Sequence, residues 1–553
     1  MEKRIFDLSA QGTPLYHFWS SCIGAGRAAE GLRADWQKQL ARTVADCGFR
    51  YIRFHGLLCD EMGICSIKNG VLQYHFAYVD ALFDSLLEIG IRPIAEFGFM
   101  PSLLASGEST QFWWKGNVTP PRDYDAWADL LTALISHWIR RYGKEEVRTW
   151  YFEIWNEPNL HAFWDGTKSQ YFQLYAVSAK AIKNLDPALR VGGPATSNFV
   201  PDDRFAGETE DVSRHLTFKT EDLQSLEWKG VWLEEFLDFC RKNKLPLDFL
   251  SAHPYPTDFA LDGQTAPDGT PMTRGRSRCL RSTLMDLTWI RDLVKNSAFP
   301  DIEIHLTEWS SSPSSRDYAH DFLPEAAYII KCNTDCIGLA HSLSYWVFTD
   351  IFEEEGPAPE AFHGGFGLQT IHGIPKPSYH AYSMLHQLGD TLLEKGEDYI
   401  ITKDDAGRLR GLFYHYPEEV PSALPMSVYP DHDSAEKIQN TGTAKTLSLH
   451  FQGLTPGQTV LIKTLDSRNG NAAWLWKEMG CPANLSAEQC RLLKAHASAL
   501  KTETAKADHS GCLDLVLTLT PWSVTAVNAE YIMRRPLTIP AAPVSPAPPV
   551  PWY

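Results

Sequence analysis

Apolar and polar positions follow a regular rhythm along roughly the first 390 residues. Short apolar runs, each closed by a polar or Gly/Pro-containing segment, alternate with longer stretches in which apolar residues return at helical spacing. Short strand, long helix, short strand is the βα pattern of a parallel sheet. Eight runs qualify as strands: residues 16–22, 51–55, 92–99, 150–155, 190–193, 247–253, 303–308 and 343–348. Eight such units close into a (β/α)8 barrel, an α/β fold, here over residues 15–390. The intervening helices are legible. Over residues 119–142 Thr119 is placed to cap, Pro120 and Pro121 suit the first turn, and Trp127, Leu130, Leu131, Leu134 and Trp138 recur on one face. Residues 80–89 form a shorter helix stopped by Gly90, and residues 376–388 the last one, closed by Gly389.

Two stretches break the rhythm. Residues 201–230 are polar and aperiodic and read as a long loop near the barrel mouth. After Gly389 the period shortens towards two, with strand candidates at 399–402, 409–414, 446–451, 459–466, 513–519 and 523–530. These make an accessory antiparallel β-sandwich from residues 1–14 and 391–540. Residues 472–505, richer in helix formers, read as an insertion into it, and the Pro-rich segment 541–553 as an extended tail.

Composition narrows the function. The 553-residue chain carries a formal net charge of −17, without the basic footprint of a nucleic-acid or anionic-membrane partner. No run is long and apolar enough to span a bilayer. The start lacks the apolar core of a secretion signal, so a cytoplasmic location is expected, with a trimmed periplasmic or secreted form as the alternative. Eleven scattered cysteines without metal-like spacing read as reduced thiols.

Two strand ends carry the chemistry. Phe152-Glu153-Ile154-Trp155-Asn156-Glu157-Pro158 and Ile304-His305-Leu306-Thr307-Glu308-Trp309 are apolar strands that each run into a carboxylate. Barrel sites lie at the C-terminal ends of strands, so Glu157 on the fourth and Glu308 on the seventh face each other across the mouth. Paired carboxylates are what glycoside hydrolysis needs: one protonates the leaving oxygen, the other attacks, and a separation of about 5–5.5 Å implies retention through a covalent intermediate. Glu157 is assigned as acid/base and Glu308 as nucleophile. Asn156 is placed to donate to the sugar 2-hydroxyl. This chemistry requires no metal and no organic cofactor. A non-catalytic carbohydrate-binding protein is the reading of another class, and it would not need both carboxylates.

The chain also resembles glycoside hydrolase family 39, the β-xylosidases and α-L-iduronidases. The resemblance rests on Arg53-Phe54-His55-Gly56, Glu96-Phe97-Gly98-Phe99, Asn156-Glu157-Pro158, Ser251-Ala252-His253-Pro254-Tyr255, Thr307-Glu308-Trp309, Tyr345-Trp346, Phe352-Glu353-Glu354 and Phe362-His363-Gly364-Gly365-Phe366-Gly367. It implies that His55, Asn156, His253, Tyr255 and Glu354 hold sugar hydroxyls, that Phe163 and Trp346 wall the subsite, and that residues 2–9 join the sandwich. Which of Glu353, Glu354 and Glu355 points inward stays open, as does whether Lys115 lines the aglycone side. The resemblance is closer to bacterial β-xylosidases. No Arg stands in the strand-end motifs to meet a uronate except Arg53, which alternation puts deeper than His55 and which reads as a partner for carboxylates. The expected reaction is exo-acting release of xylose from β-xylo-oligosaccharides. An arabinosidase, a β-glucosidase or an iduronidase-like activity is the alternative. Self-association as a homo-oligomer would use the long loop or the tail.

Overall fold

The computed structural model describes residues 3–201, 228–258, 276–424 and 431–530. Eight parallel strands close into a barrel: β1 (Cys22–Arg27), β2 (Tyr51–His55), β3 (Arg92–Phe97), β4 (Tyr151–Ile154), β5 (Arg190–Ser197), β6 (Phe249–His253), β7 (Glu303–Trp309) and β8 (Ser342–Tyr345). The seam closes where Tyr345 of β8 pairs with Ile23 of β1. Helices pack outside with their apolar stripes inward, as in Tyr124–Tyr142, which buries Trp127, Leu130, Leu131, Leu134, Ile135 and Trp138. Among the described residues, no helix is long and apolar enough to cross a membrane.

Several expected boundaries move. The first strand is not residues 16–22. Phe18–Ser20 is a single 3-10 turn, and β1 is the Gly/Ala-rich Cys-Ile-Gly-Ala-Gly-Arg that follows. Small residues are required there, because a Cβ on Gly24 would lie 2.4 Å from the Trp346 ring. The helix expected from Thr119 starts at Tyr124, where the Asp123 carboxylate accepts from the N–H of Asp125 and Ala126. The last barrel helix is Pro377–His386 with Gln387 as its cap. Gly389 does not end it. It is glycine because a Cβ would meet the Lys403 backbone at 2.2 Å.

Beyond the barrel, a seven-stranded sheet runs in the order Thr13–Pro14, Thr391–Lys395, Tyr399–Lys403, Leu409–Tyr414, Val524–Ala529, Thr459–Leu465, Lys501–Lys506. A three-stranded sheet faces it: Lys3–Asp7, Lys445–Gln452 and Leu513–Leu519, with the N-terminal strand parallel to Lys445–Gln452. Phe6, Ile401, Phe413, Leu449, Phe451 and Val527 fill the space between. The expected insertion is two helices, Ala472–Glu478 and Ala487–Ala497, and then reverts to strand, since Lys501–Lys506 pairs with Thr459–Leu465. Of the expected long loop, Trp228–Gly230 is a strand antiparallel to Phe199–Pro201. The rest of that loop, and the Pro-rich tail, lie outside the described residues.

Candidate active site

The barrel interior is layered. At its N-terminal end Cys22, Ile94, Tyr151 and Phe249 make an apolar floor, with Tyr51 packed against it. Two residues further along β2, alternation brings Arg53 into the interior. Its side chain is 0% exposed, and its guanidinium reaches Glu153 Oε2 (2.6 Å), Glu308 Oε1 (2.7 Å) and Glu96 Oε2 (3.0 Å). It also donates to Asn156 Oδ1 at 2.8 Å. A rigid fork of five donors suits this four-way grip in a way that an ammonium does not.

Above that layer sits a cavity of about 160 Å³, lined by His55, Asn156, Glu157, Leu160, Phe163, Ser197, Asn198, Tyr255, Glu308, Pro313, Trp346, Glu354 and Phe366. Backbone irregularities aim its polar groups. Thr307 and Glu308 are neighbours that would point to opposite faces of a regular strand. The register between β7 and β8 shifts between Leu306 and Trp309, and this bulge turns both inward. Glu157 stands just past β4 at φ 44°, a left-handed conformation costing on the order of 1–3 kcal/mol. Its N–H to Ala195 O (3.0 Å) and the N–H of Leu160 to its own carbonyl (2.9 Å) hold it there. Strand β5 runs past the expected end at Gly193, through a bulge between Pro194 and Thr196, and so delivers Ser197 and Asn198 to the cavity.

The two carboxylates differ in their partners. Glu308 Oε1 takes Arg53, and Oε2 takes the Tyr255 hydroxyl at 3.1 Å. Burial raises the Glu308 carboxyl above its ordinary range, while Arg53 and His55 oppose that rise. Among the described residues Glu157 has no such cation in contact, and Arg53 acts on it only from a distance. Burial, and then the nearby Glu308, push it well above the ordinary range. His253 Nδ1 lies 2.9 Å from Glu157 Oε1 and 3.8 Å from Glu308 Oε2. One oxygen of each carboxylate and this nitrogen fall within 4.8 Å of one another, which places the pair on the short-separation side of the glycosidase classes. The trio is compact enough for a cation, but its atoms are already committed: Glu308 to Arg53 and Tyr255, His253 to Glu157. A metal here would also sit beside a guanidinium.

The remaining expected site residues divide into two groups. His55 Nδ1 donates to Glu96 (2.7 Å), and its Nε2 edge faces Glu308 (3.4 Å) and Glu354 (3.8 Å) at the cavity. The Asn156 amide has its oxygen on Arg53, and its Nδ2 has no hydrogen-bond partner among the described residues. Phe163 and Trp346 form walls. Glu354 is the glutamate that lines the cavity. Glu353 turns away to Arg27 (2.7 Å) and Arg33 (3.3 Å), and Glu355, 58% exposed, turns to Arg316 (3.8 Å). Lys115 does not line the cavity. His253 and Tyr255 each have a protein partner. His253 is fully buried with both nitrogens engaged by protein, Nε2 by Thr307 Oγ1 at 2.9 Å. The Tyr255 hydroxyl serves Glu308. Both hold carboxylates, His253 that of Glu157 and Tyr255 that of Glu308, and Tyr255 also lines the cavity.

The sequence reading did not assign Glu96, Glu153, Thr307, Ser197 or Phe366. Glu96, Glu153, Thr307 and Phe366 stand inside the quoted motifs, so the signal was present. Ser197 carried none, because Gly192-Gly193-Pro194 reads as the end of a strand.

Comparison with known proteins agrees with this geometry. The model for "Glycosyl hydrolases family 39" matches residues 5–513. The chain is 38% identical to a β-xylosidase of Caldicellulosiruptor saccharolyticus over 93% of this chain and 95% of that one. It is 35% identical to a β-xylosidase of Geobacillus stearothermophilus over 93% of each. Among solved structures, a monomeric β-xylosidase from Caulobacter crescentus CB15 superposes with a TM-score of 0.81 at 32% identity, covering 96% of this chain and 100% of that one. With the family model spanning nearly the whole chain, the protein belongs to the glycosyl hydrolases of family 39.

Proposed function

We propose that this protein is a retaining, exo-acting β-xylosidase that releases xylose from the non-reducing end of short β-xylo-oligosaccharides, with Glu157 as acid/base and Glu308 as nucleophile. One observation carries the reading: two buried carboxyls within reach of a single sugar carbon, one gripped by a guanidinium and a phenol, the other without a guanidinium or ammonium in contact among the described residues and facing a histidine nitrogen. Glu308 attacks the anomeric carbon while Glu157 gives its proton to the departing glycosidic oxygen. Glu157 then takes a proton from the water that releases the sugar from Glu308. The free Asn156 Nδ2–H meets the 2-hydroxyl, where the contact strengthens as the ring flattens.

The cavity supports a small neutral sugar. At about 160 Å³ it is below the roughly 300–1,000 Å³ of drug-sized sites, which suits one ring at a time. Glu354, Trp346 and Phe366 line it beside Glu308. A uronate would bring a fourth carboxylate to Glu157, Glu308 and Glu354, and Arg53 is already spent on carboxylates beneath the cavity. Full-length relatives named β-xylosidases favour xylose over the arabinoside and glucoside alternatives. A panel of nitrophenyl glycosides tests this, with the β-xyloside expected to be hydrolysed best; no turnover of it sinks the proposal. Glu308→Ala is expected to abolish turnover, with azide restoring it and yielding the α-xylosyl azide. Wild-type rates in that variant would remove Glu308 from its role.

A further inference from the structure

His253 touches Glu157, and what lies behind His253 decides which proton it carries. Its Nε2 is 2.9 Å from Thr307 Oγ1, and that hydroxyl is in turn 2.8 Å from Glu153 Oε1. Arg53 Nε donates to the other oxygen of Glu153 at 2.6 Å. All the members are buried: His253, Thr307, Glu153 and Arg53 are each 0% exposed. The file of side chains runs across four barrel strands, β2, β4, β7 and β6, and ends on Glu157.

Only one assignment of hydrogens satisfies this file. A carboxylate held by Arg53 accepts, so the single Thr307 hydrogen goes to Glu153. The lone pair left on Thr307 Oγ1 then faces His253, so Nε2 must be the N–H. A neutral imidazole has one N–H, and its other nitrogen is an acceptor. Burial, reinforced by the charges of Arg53 and His55, holds His253 well below its ordinary range and therefore neutral. Nδ1 is then a bare lone pair 2.9 Å from Glu157 Oε1. Two acceptors at that distance repel, so the contact is favourable only while Glu157 carries a proton.

We propose that Thr307, anchored by Glu153, is a positioning residue that locks His253 in the Nε2–H tautomer and so keeps Glu157 loaded as the general acid. The inference rests on the acid/base role of Glu157 proposed above. It acts in both half-reactions. Before glycosidic cleavage the Nδ1 lone pair accepts the Glu157 O–H. After that proton has left with the aglycone, the same lone pair opposes the Glu157 carboxylate. This strengthens it as the base that removes a proton from the attacking water. The other groups facing Glu157 are Glu308 on β7, Arg53 on β2, Glu96 on β3, Ser197 on β5, Tyr255 after β6 and Glu354 after β8. None of them changes in the test.

Thr307→Val removes the hydroxyl at nearly constant shape, and Thr307→Ser keeps it. In Thr307→Val the basic limb of the pH profile of kcat/KM is expected to move down by about 1 pH unit, the size of one lost hydrogen bond. The rate ratio of dinitrophenyl β-xyloside, which leaves without help, to an alkyl β-xyloside, which needs protonation, is expected to rise about tenfold or more. Thr307→Ser should restore both. An unmoved basic limb and ratio, or equal losses on both substrates with no rescue by Ser, would overturn the proposal. Nitrogen-15 NMR of His253 in the unaltered protein, assigned by its loss in His253→Gln, reads the tautomer without any change at Thr307. Protonated Nε2 with bare Nδ1 supports the lock, whereas an Nδ1–H or a doubly protonated ring refutes it. If no xyloside is turned over, the functional reading fails on its own and the NMR result still decides the tautomer.

Discussion

Asn156 illustrates how one side chain is given two opposed roles by a single neighbour. A guanidinium has only donors, so the amide atom facing Arg53 must be Oδ1, and Nδ2 is thereby left without a partner among the described residues. A buried donor left open in the free protein is costly to fold around, and that cost is recovered when a sugar hydroxyl arrives. Asn156→Ala is expected to lower kcat/KM by on the order of 10²–10³, the range for losing one donor to developing transition-state charge. Asn156→Asp should do as badly, because it places an acceptor where a donor is needed and adds charge beside Glu308. Steady-state kinetics on an aryl β-xyloside checks both, and a loss of under about tenfold in either would show that the 2-hydroxyl is met elsewhere. The chain itself displayed Asn156 and Glu157 as a motif. It did not display the grip of Arg53, since its partners stand far off in sequence and only the closed barrel makes them neighbours.

At the scale of elements, legibility followed side-chain size. Strands β2, β3, β4, β6, β7 and β8 announce themselves by branched or aromatic residues, and the helices by apolar spacing. Strand β1 was misplaced because its Gly and Ala residues are the ones a strand prediction discounts, although here they admit Trp346. Bulges escaped for a related reason: an extra residue leaves no mark on composition, yet those in β5 and β7 aim Ser197 and Glu308. The two helices of the insertion have a structural use that the sequence did not suggest. Trp476, fully buried in the first of them, packs on Phe362 at 5.3 Å between ring centres, and it also meets at 4.8 Å the ring of His432, from the separate helix His432–Gln439, whose Nε2 donates to Phe362 O at 2.9 Å. Phe362 begins the segment that ends on Phe366 in the cavity wall. Trp476→Ala is expected to destabilise by about 3–5 kcal/mol and to raise KM more than it lowers kcat, because the wall loosens while both carboxylates stay put. Urea unfolding and xyloside kinetics measure the two effects. An unchanged KM would mean that the wall stands without the insertion.

At the scale of the whole molecule, the seven-stranded sheet is a shared layer. Alternate residues of its strands face opposite ways: Ile401, Phe413 and Val527 enter the core shared with the three-stranded sheet, while Ile400, Leu412, Tyr414, Val524 and Ala526 join the continuous core of the barrel. Hydrogen bonds cross the same boundary. Thr334 Oγ1 and the Tyr414 hydroxyl lie 2.8 Å apart, Ala423 N–H reaches Arg278 O at 2.9 Å, and Ser277 Oγ reaches Leu424 O at 2.7 Å. Unfolding the barrel alone would strip one face of that sheet and expose its large apolar side chains to water, at about 25 cal/mol per Å². Unfolding the sandwich alone would open the barrel's outer wall in the same way. Neither part can therefore be lost first without most of the cost of losing both. Calorimetry is expected to show a single endotherm, with loss of xylosidase activity and loss of tryptophan fluorescence at one temperature. Replacing Leu412 by Ala, on the barrel-facing side, should lower that one transition by the equivalent of about 2–5 kcal/mol without splitting it. Two resolved transitions in the unaltered protein, with activity following only the first, would show that the sheet belongs to the sandwich alone.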